Sequence, residues 1–258
     1  MGALSPFGER LRGWRKRRGM SQLDLALTAG TTPRYVSFVE TGRSRPGRGV
    51  ILRLADAMNV PLRDRNGLLV AAGLPPVYAE SAMDDDAMAP VRGVIDQVLE
   101  KHEPYPGSVL GQGLVVIRQN RAAERLFPGA ADIDPIQMLD MSFAPGPGRD
   151  TIENWQEMLF AIIARLRHEV LLHPSLSLQA QLARAEYHAQ GLGPAPESSE
   201  HPVLCPVLLI GGQRISTIST VMTFESPREV TTSELRVELM FPADAASDAF
   251  FRGMAEEG

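Results

Sequence analysis

The stretch GTTPRYVSFVETGRSRP, residues 30–46, opens on a glycine and a Thr-Thr-Pro step and closes on glycine, arginine and proline. Gly30 stops one helix, Thr32 caps the free amides of the next, and Pro33 occupies a first turn where its missing N–H costs nothing. Val36 and Val39, three apart, are its only strongly apolar positions. The helix therefore has one thin buried edge and turns Arg34, Ser37 and Phe38 outward. Gly42 closes it. A segment of this kind is made to touch something other than its own core.

Four further helices surround it. Ser5 and Pro6 start the first, whose apolar stripe is Phe7, Leu11 and Trp14 at i, i+4 and i+7, with Arg10, Arg12, Lys16 and Arg17 opposite and Gly19 at its end. Ser21 caps the second, which runs through Leu25, Ala26 and Ala29 to Gly30. Ile51, Leu54, Ala55 and Met58 mark a fourth, and Leu62, Leu68 and Leu69 a fifth that ends at Gly73 before Pro75 and Pro76. Residues 1–79 thus read as an all-α, five-helix domain. They hold thirteen Lys and Arg against five Asp and Glu, a net of +8, whereas residues 80–258 carry −13. A basic module on an acidic remainder suits a polyanion partner for the module alone.

The two-helix unit around Gly30 meets the requirement of a helix-turn-helix, whose second helix enters the major groove. Thr32, Arg34, Ser37 and Phe38, with Tyr35 beside them, are the expected base-facing group: hydroxyls, a guanidinium for guanine and an apolar surface for a thymine methyl. Gln22 is expected to reach a phosphate. Arg43 and Arg45 flank the helix and neutralise phosphates.

The chain has 258 residues, 44% of them hydrophobic, enough for two domains. Cys205 is its single cysteine, which removes any disulfide framework within one chain and points to a reducing compartment, the cytoplasm. The N-terminal stretch has no signal-peptide pattern, and the most apolar run, VLCPVLLIGG, is too short for a bilayer, so no membrane association is expected.

LPPVYAESAMDDDAMAP, residues 74–90, reads as a linker or exposed joint, with the domain boundary near Glu80. In residues 80–258 the pattern changes to a helix at 91–101, a strand turning at Asn120 into a short helix, and a long stripe of Trp155, Met158, Leu159, Ile162, Ile163, Leu166 and Val170. Another helix precedes the loop GLGPAPESSEHP. A Gly211-Gly212 hairpin follows, with Ile218, Met222 and Phe224 expected on the inner face and Thr217 and Ser219 outward, then LRVELMF with alternate residues inward. Strands with a helical insert, closed by a meander, describe an α+β domain with an antiparallel sheet.

Enzymatic and metal chemistry find no support in these residues. The histidines of HEVLLH, His168 and His173, are five apart, about 140° around a helix, where zinc ligands need four. The glycines of APGPG and GQG lead into no phosphate-binding helix, and the hydroxyls of ISTISTVMT lack a partnering His and Asp. No catalytic residue, metal or cofactor is assigned.

MSQLDLALTAGTTPRYVSFVETGRSRP, followed by ILRLADAMNVPLRDRNGLLVAAGLPP, resembles the Cro/C1-type (XRE) helix-turn-helix family across the first third of the chain. The resemblance implies an internal ion pair between Arg15 and Glu40. Pro33 stands where some members carry a base-contacting glutamine. VVIRQNRAAERLF, TISTVMTFESPREVTTSELRVELMFPADAA and the junction RDRNGLLVAAGLPPVY are similar to the MmyB-like ligand-binding domain, a PAS-related sensor, although residues 166–202 depart from its pattern and lack the tryptophan expected there. That resemblance implies a PAS-like sheet around an apolar pocket for a small, fatty-acid-like molecule, for which Trp155, Leu159, Ile163, Ile218, Met222 and Leu239 are the expected lining. A solid core at these positions is the competing reading. The implied protein is a DNA-binding transcription regulator acting on double-stranded DNA as a homodimer. Its second domain senses the ligand, or else only dimerises or docks on RNA polymerase.

Overall fold

The computed structural model describes residues 5–194 and 203–256, so most of the loop expected before the hairpin lies outside the described residues. The chain divides into two compact units. One is Met1–Glu80 with the short segments Leu171–His173 and Pro227–Val230, and the other is the remainder.

The first unit holds α1 (Pro6–Arg17), α2 (Gln22–Thr28), α3 (Pro33–Glu40), α4 (Arg48–Ala57) and α5 (Leu62–Ala71). Each of the first three begins on a side-chain cap: Ser5 Oγ accepts from Gly8 N–H, Ser21 and Asp24 form a reciprocal capping box, and Thr32 Oγ1 accepts from Tyr35 N–H. Gly30 (φ 63°) and Gly42 (φ 73°) take the left-handed conformation that ends α2 and α3. Phe7, Leu11, Trp14, Leu25, Val36, Val39, Ile51, Leu54, Leu68 and Leu69 form one core, each at most 4% exposed. At about 1.5–3 kcal/mol per buried large side chain, this cluster is what holds five short helices together. Gly8 is where α1 meets the end of α3, since a Cβ there would fall 2.2 Å from Glu40 O.

The residues read as a linker are partly fastened. Asn66 on α5 accepts from the N–H groups of Val77 and Tyr78 through Oδ1 and donates to Tyr78 O through Nδ2. A single amide satisfies three backbone groups of a segment whose prolines and polar residues suggested a free joint.

The second unit is α+β. Its elements are α6 (Ala89–His102), β1 (Gly107–Leu110), β2 (Val116–Gln119), α7 (Arg121–Leu126), α8 (Pro135–Phe143), α9 (Pro147–Asp150), α10 (Trp155–Leu172), α11 (Leu176–His188), β3 (Val207–Ile210), β4 (Gln213–Met222), α12 (Val230–Glu234), β5 (Arg236–Pro242) and α13 (Ala245–Glu256). The five strands form one antiparallel sheet of order β2-β1-β5-β4-β3, the PAS-like arrangement that the resemblance implied. Gly211 and Gly212, both at positive φ, make the two-residue β3–β4 turn. Ile95 and Leu99 of α6 cover one sheet face at Val109 and Val237. No helix among the described residues is long and apolar enough to cross a membrane.

On β4 the alternation holds but its sense differs from the expectation. Thr217 is 5% exposed and Ile218 is 42% exposed. Thr217 Oγ1 donates to Pro206 O at 3.0 Å, whereas the Ser219 hydroxyl is buried with no hydrogen-bond partner among the described residues and only its backbone N–H donates, to Cys205 Sγ. Met222, on the face of Ile218, packs in the α6 cluster, while Ile218 pairs with Phe241, itself 39% exposed. Period-two patterning fixes which residues share a face, but both faces of this sheet are partly covered and apolarity alone does not rank them.

Candidate DNA interface and ligand cavity

Glu40, the last residue of α3, organises the first site. Arg15 of α1 grips it in a fork, Nε to Oε1 at 2.6 Å and Nη2 to Oε2 at 3.0 Å, and Arg15 Nη1 donates to Met20 O. The hydrogen bond to Glu40 raises the Arg15 guanidinium above its ordinary pKa. Both side chains are buried, at 10% and 3% exposed. Gln22 adds its amide N–H to Glu40 Oε2 at 2.8 Å. The side chain expected to meet a phosphate thus joins α2 to the ion pair first, leaving one amide N–H for an outside acceptor.

The pair fastens the end of α3 to α1, while the start of α3 stays at the surface. Thr32 and Arg34 are exposed, Ser37 and Phe38 are half-buried, and Tyr35 rests against the helical core, apart from the exposed group. Thr32 uses its oxygen as the helix cap and keeps its O–H. The Phe38 ring lies between two guanidinium groups, with Arg34 Cζ at 5.2 Å and Arg43 Cζ at 5.9 Å from its centroid. Arg43 and Arg45 are exposed. Among the described residues no carboxylate pairs with Arg34, Arg43 or Arg45. A helix N-terminus with hydroxyls, an unpaired guanidinium and an aromatic edge, flanked by unpaired arginines, offers the donors and positive charge that a groove and its phosphates require.

The second site is a cavity of about 460 Å³ in the sheet unit. Its floor is the sheet face opposite α6, with Ser108, Leu110, Glu238 and Met240 at alternate positions. Met158, Ile162 and Arg165 of α10 form one wall at i, i+4 and i+7. Leu126, Ile133 and Met138 add apolar surface, and the exposed Phe127 and Met141 stand at the rim.

None of the six residues expected to line a pocket lines this one. Leu159 and Ile163 are 0% and 3% exposed in a packed cluster with Leu139, Phe143 and Leu178, against which Trp155 also rests. Leu239 and Met222 pack under α6, and Ile218 faces outward. The helix and the strand are those expected, displaced by one residue: Met158 and Ile162 in place of Leu159 and Ile163, Glu238 and Met240 in place of Leu239. One step is about 100° on a helix and the opposite face on a strand. An apolar stripe wide enough to serve both a core and a cavity does not say which edge meets which.

Arg165 belongs to a buried cluster that the sequence reading missed. Glu169 Oε1 accepts from Arg165 Nε at 3.2 Å and Arg236 Nη1 at 2.5 Å, while Oε2 accepts from Gly113 N–H at 2.9 Å. Arg165 Nη2 donates to Gly113 O at 2.6 Å, and Gln181 of α11 accepts from Leu114 N–H. Burial pushes the Glu169 carboxyl up, but the hydrogen bond and charge of Arg236, with Arg165 and the Gly113 N–H, hold it below the ordinary range. Together these bonds pin the β1–β2 turn to α10 and α11. The available signal was Glu169 itself, a carboxylate on the continuation of the Leu159–Ile163–Leu166 stripe.

Two family models match the chain. One describes an MmyB-like transcription regulator ligand binding domain and covers residues 91–254, and the other describes a helix-turn-helix and covers residues 11–64. Comparison with curated proteins gives no match.

Proposed function

Because the chain belongs to the family of MmyB-like transcription regulators with a ligand-binding domain, we propose that it reads a specific operator through α3 and that the cavity of its second domain holds a small, largely apolar molecule. The helix-turn-helix implies DNA as partner, and the ligand-binding domain implies a small-molecule effector.

The observation that carries the finer reading is the cavity. Its volume lies within the roughly 300–1,000 Å³ of small-molecule sites, its walls are methionine, leucine and isoleucine, and a few polar groups stand among them. A chain-like, lipid-sized molecule fits such walls. The ligand regulates only to the extent that it prefers one arrangement of the protein over another. Homodimeric action, with two copies of α3 on two half-sites, accords with the helix-turn-helix mode. Docking on RNA polymerase is the competing role for the second domain. We place the protein in the cytoplasm.

Native mass spectrometry of the purified chain tests the ligand reading. A co-purifying small-molecule mass is expected in the wild type and is expected to vanish in Ile162→Trp, where an indole would fill the cavity. A bare protein mass, together with melting curves that ignore every apolar chain added, would reduce the second domain to an interaction module.

A further inference from the structure

The sheet floor of the cavity carries one polar row. Gln119, Ser108 and Glu238 are direct cross-strand partners on β2, β1 and β5, and all three line the cavity. Their side chains therefore stand side by side, with neighbouring Cβ atoms about 4.5–5.5 Å apart. Apolar residues surround the row, among them Leu110, Val116 and Met240.

Each member has unused accepting capacity. Gln119 Nε2 donates to Ala123 O at 3.2 Å, which orients the amide, and its Oε1 is buried with no hydrogen-bond partner among the described residues. Among the described residues no hydrogen bond or ion pair engages the Ser108 hydroxyl or the Glu238 carboxylate. The row offers one amide oxygen and one carboxylate, which only accept, and one hydroxyl that can do either. Arg165, the one cation among the lining residues, directs Nε at Glu169 and Nη2 at Gly113 O and forms no ion pair with Glu238.

We propose that the cavity takes a chain-like amphiphile whose polar end donates hydrogen bonds, a hydroxyl or an amine, and that Gln119, Ser108 and Glu238 accept from it. On the row itself a carboxylate would set its charge beside Glu238 and find only the Ser108 O–H and the second Gln119 amide N–H as donors. A hydroxyl or ammonium satisfies the buried Gln119 oxygen and the Glu238 carboxylate together, and its hydrocarbon chain extends along Met158, Ile162 and Leu126. This assignment rests on the reading of the cavity as a ligand site.

Calorimetric titration of the full-length chain with dodecan-1-ol, dodecylamine and dodecanoate, each below its aggregation threshold, tests the assignment. The alcohol or the amine is expected to bind about tenfold or more tightly than dodecanoate, the worth of one hydrogen bond to a charged group. Glu238→Gln, which preserves shape, is expected to remove most of the amine's advantage, and Ser108→Ala to weaken the alcohol. An advantage confined to the amine makes Glu238 the anchor; one shared by the alcohol brings in Gln119 and Ser108. Dodecanoate binding as tightly as the others, or head-group preferences that ignore both substitutions, would overturn the assignment while leaving the cavity a ligand site. Failure of all three chains to bind would remove the ligand site itself.

Discussion

Arg34 and Arg45 are both exposed arginines near α3, but their places give them different work. Arg34 projects from the first turn beside Phe38, where a guanidinium can meet a guanine edge. Arg34→Ala is expected to cost about 1–3 kcal/mol of operator binding and to relax preference at one base, whereas Arg45→Ala weakens all sequences alike. Binding measured against a panel of single-base operator variants separates them, and an unchanged preference in Arg34→Ala would remove it from the readers. Arg15 and Glu40 act on the fold instead. Breaking a buried fork leaves the partner charge unmatched, so either single alanine is expected to lower the stability of the helical unit by about 3–5 kcal/mol. A double-mutant cycle should return strong coupling, and additive losses would deny the pairing. Gln22 enters the same network, which makes its role structural before it is a DNA contact.

At the scale of elements, α10 divides its labour between two edges one residue apart. Ile163→Trp is expected to overpack the cluster of Leu139, Phe143 and Leu178 and cost about 1–3 kcal/mol, while Ile162→Trp fills the cavity and leaves the melting temperature near or above that of the wild type. Equal losses in thermal melts would mean that the cavity edge is as tightly packed as the core. Glu169 ties α10 to the β1–β2 turn, and its depressed pKa has a definite sign in stability. A carboxylate whose folded value lies below its unfolded value stabilises the fold above the ordinary carboxylate range, and that stability is lost as pH falls through the folded value. Acid unfolding of Glu169→Gln is expected to show a flatter low-pH limb than the wild type, from a lower starting stability; an unchanged slope would show that Glu169 carries no linkage. The helical elements were legible because caps such as Ser5, Ser21 and Thr32, and stops such as Gly30 and Gly42, act within a few residues of where they stand. The hairpin at Gly211-Gly212 was legible for the same reason. The cavity lining was not. Whether Leu159 or Met158 meets the empty space depends on how α8, α11 and the sheet pack around α10, and no local pattern contains that. The polar row of Gln119, Ser108 and Glu238 was equally hidden, since it exists only once three strands distant in sequence are in register.

For the whole molecule, a basic helical unit joined to an acidic sheet unit confines the electrostatic attraction for DNA to the first. With roughly six to ten phosphates neutralised per dimer, operator affinity is expected to fall by about 10³–10⁵ between 50 and 200 mM salt, and a flat response would contradict a phosphate-dominated interface. The central claim is that occupancy of the cavity alters DNA binding. Its most direct test is the operator Kd of the full-length chain, on a duplex recovered from a random pool, measured with and without whichever of the three twelve-carbon chains most raises the melting temperature. The account predicts a change of about 5–150-fold in the wild type, the usual size of an allosteric coupling, and none in Ile162→Trp. An identical Kd in the wild type with and without a bound chain would contradict it.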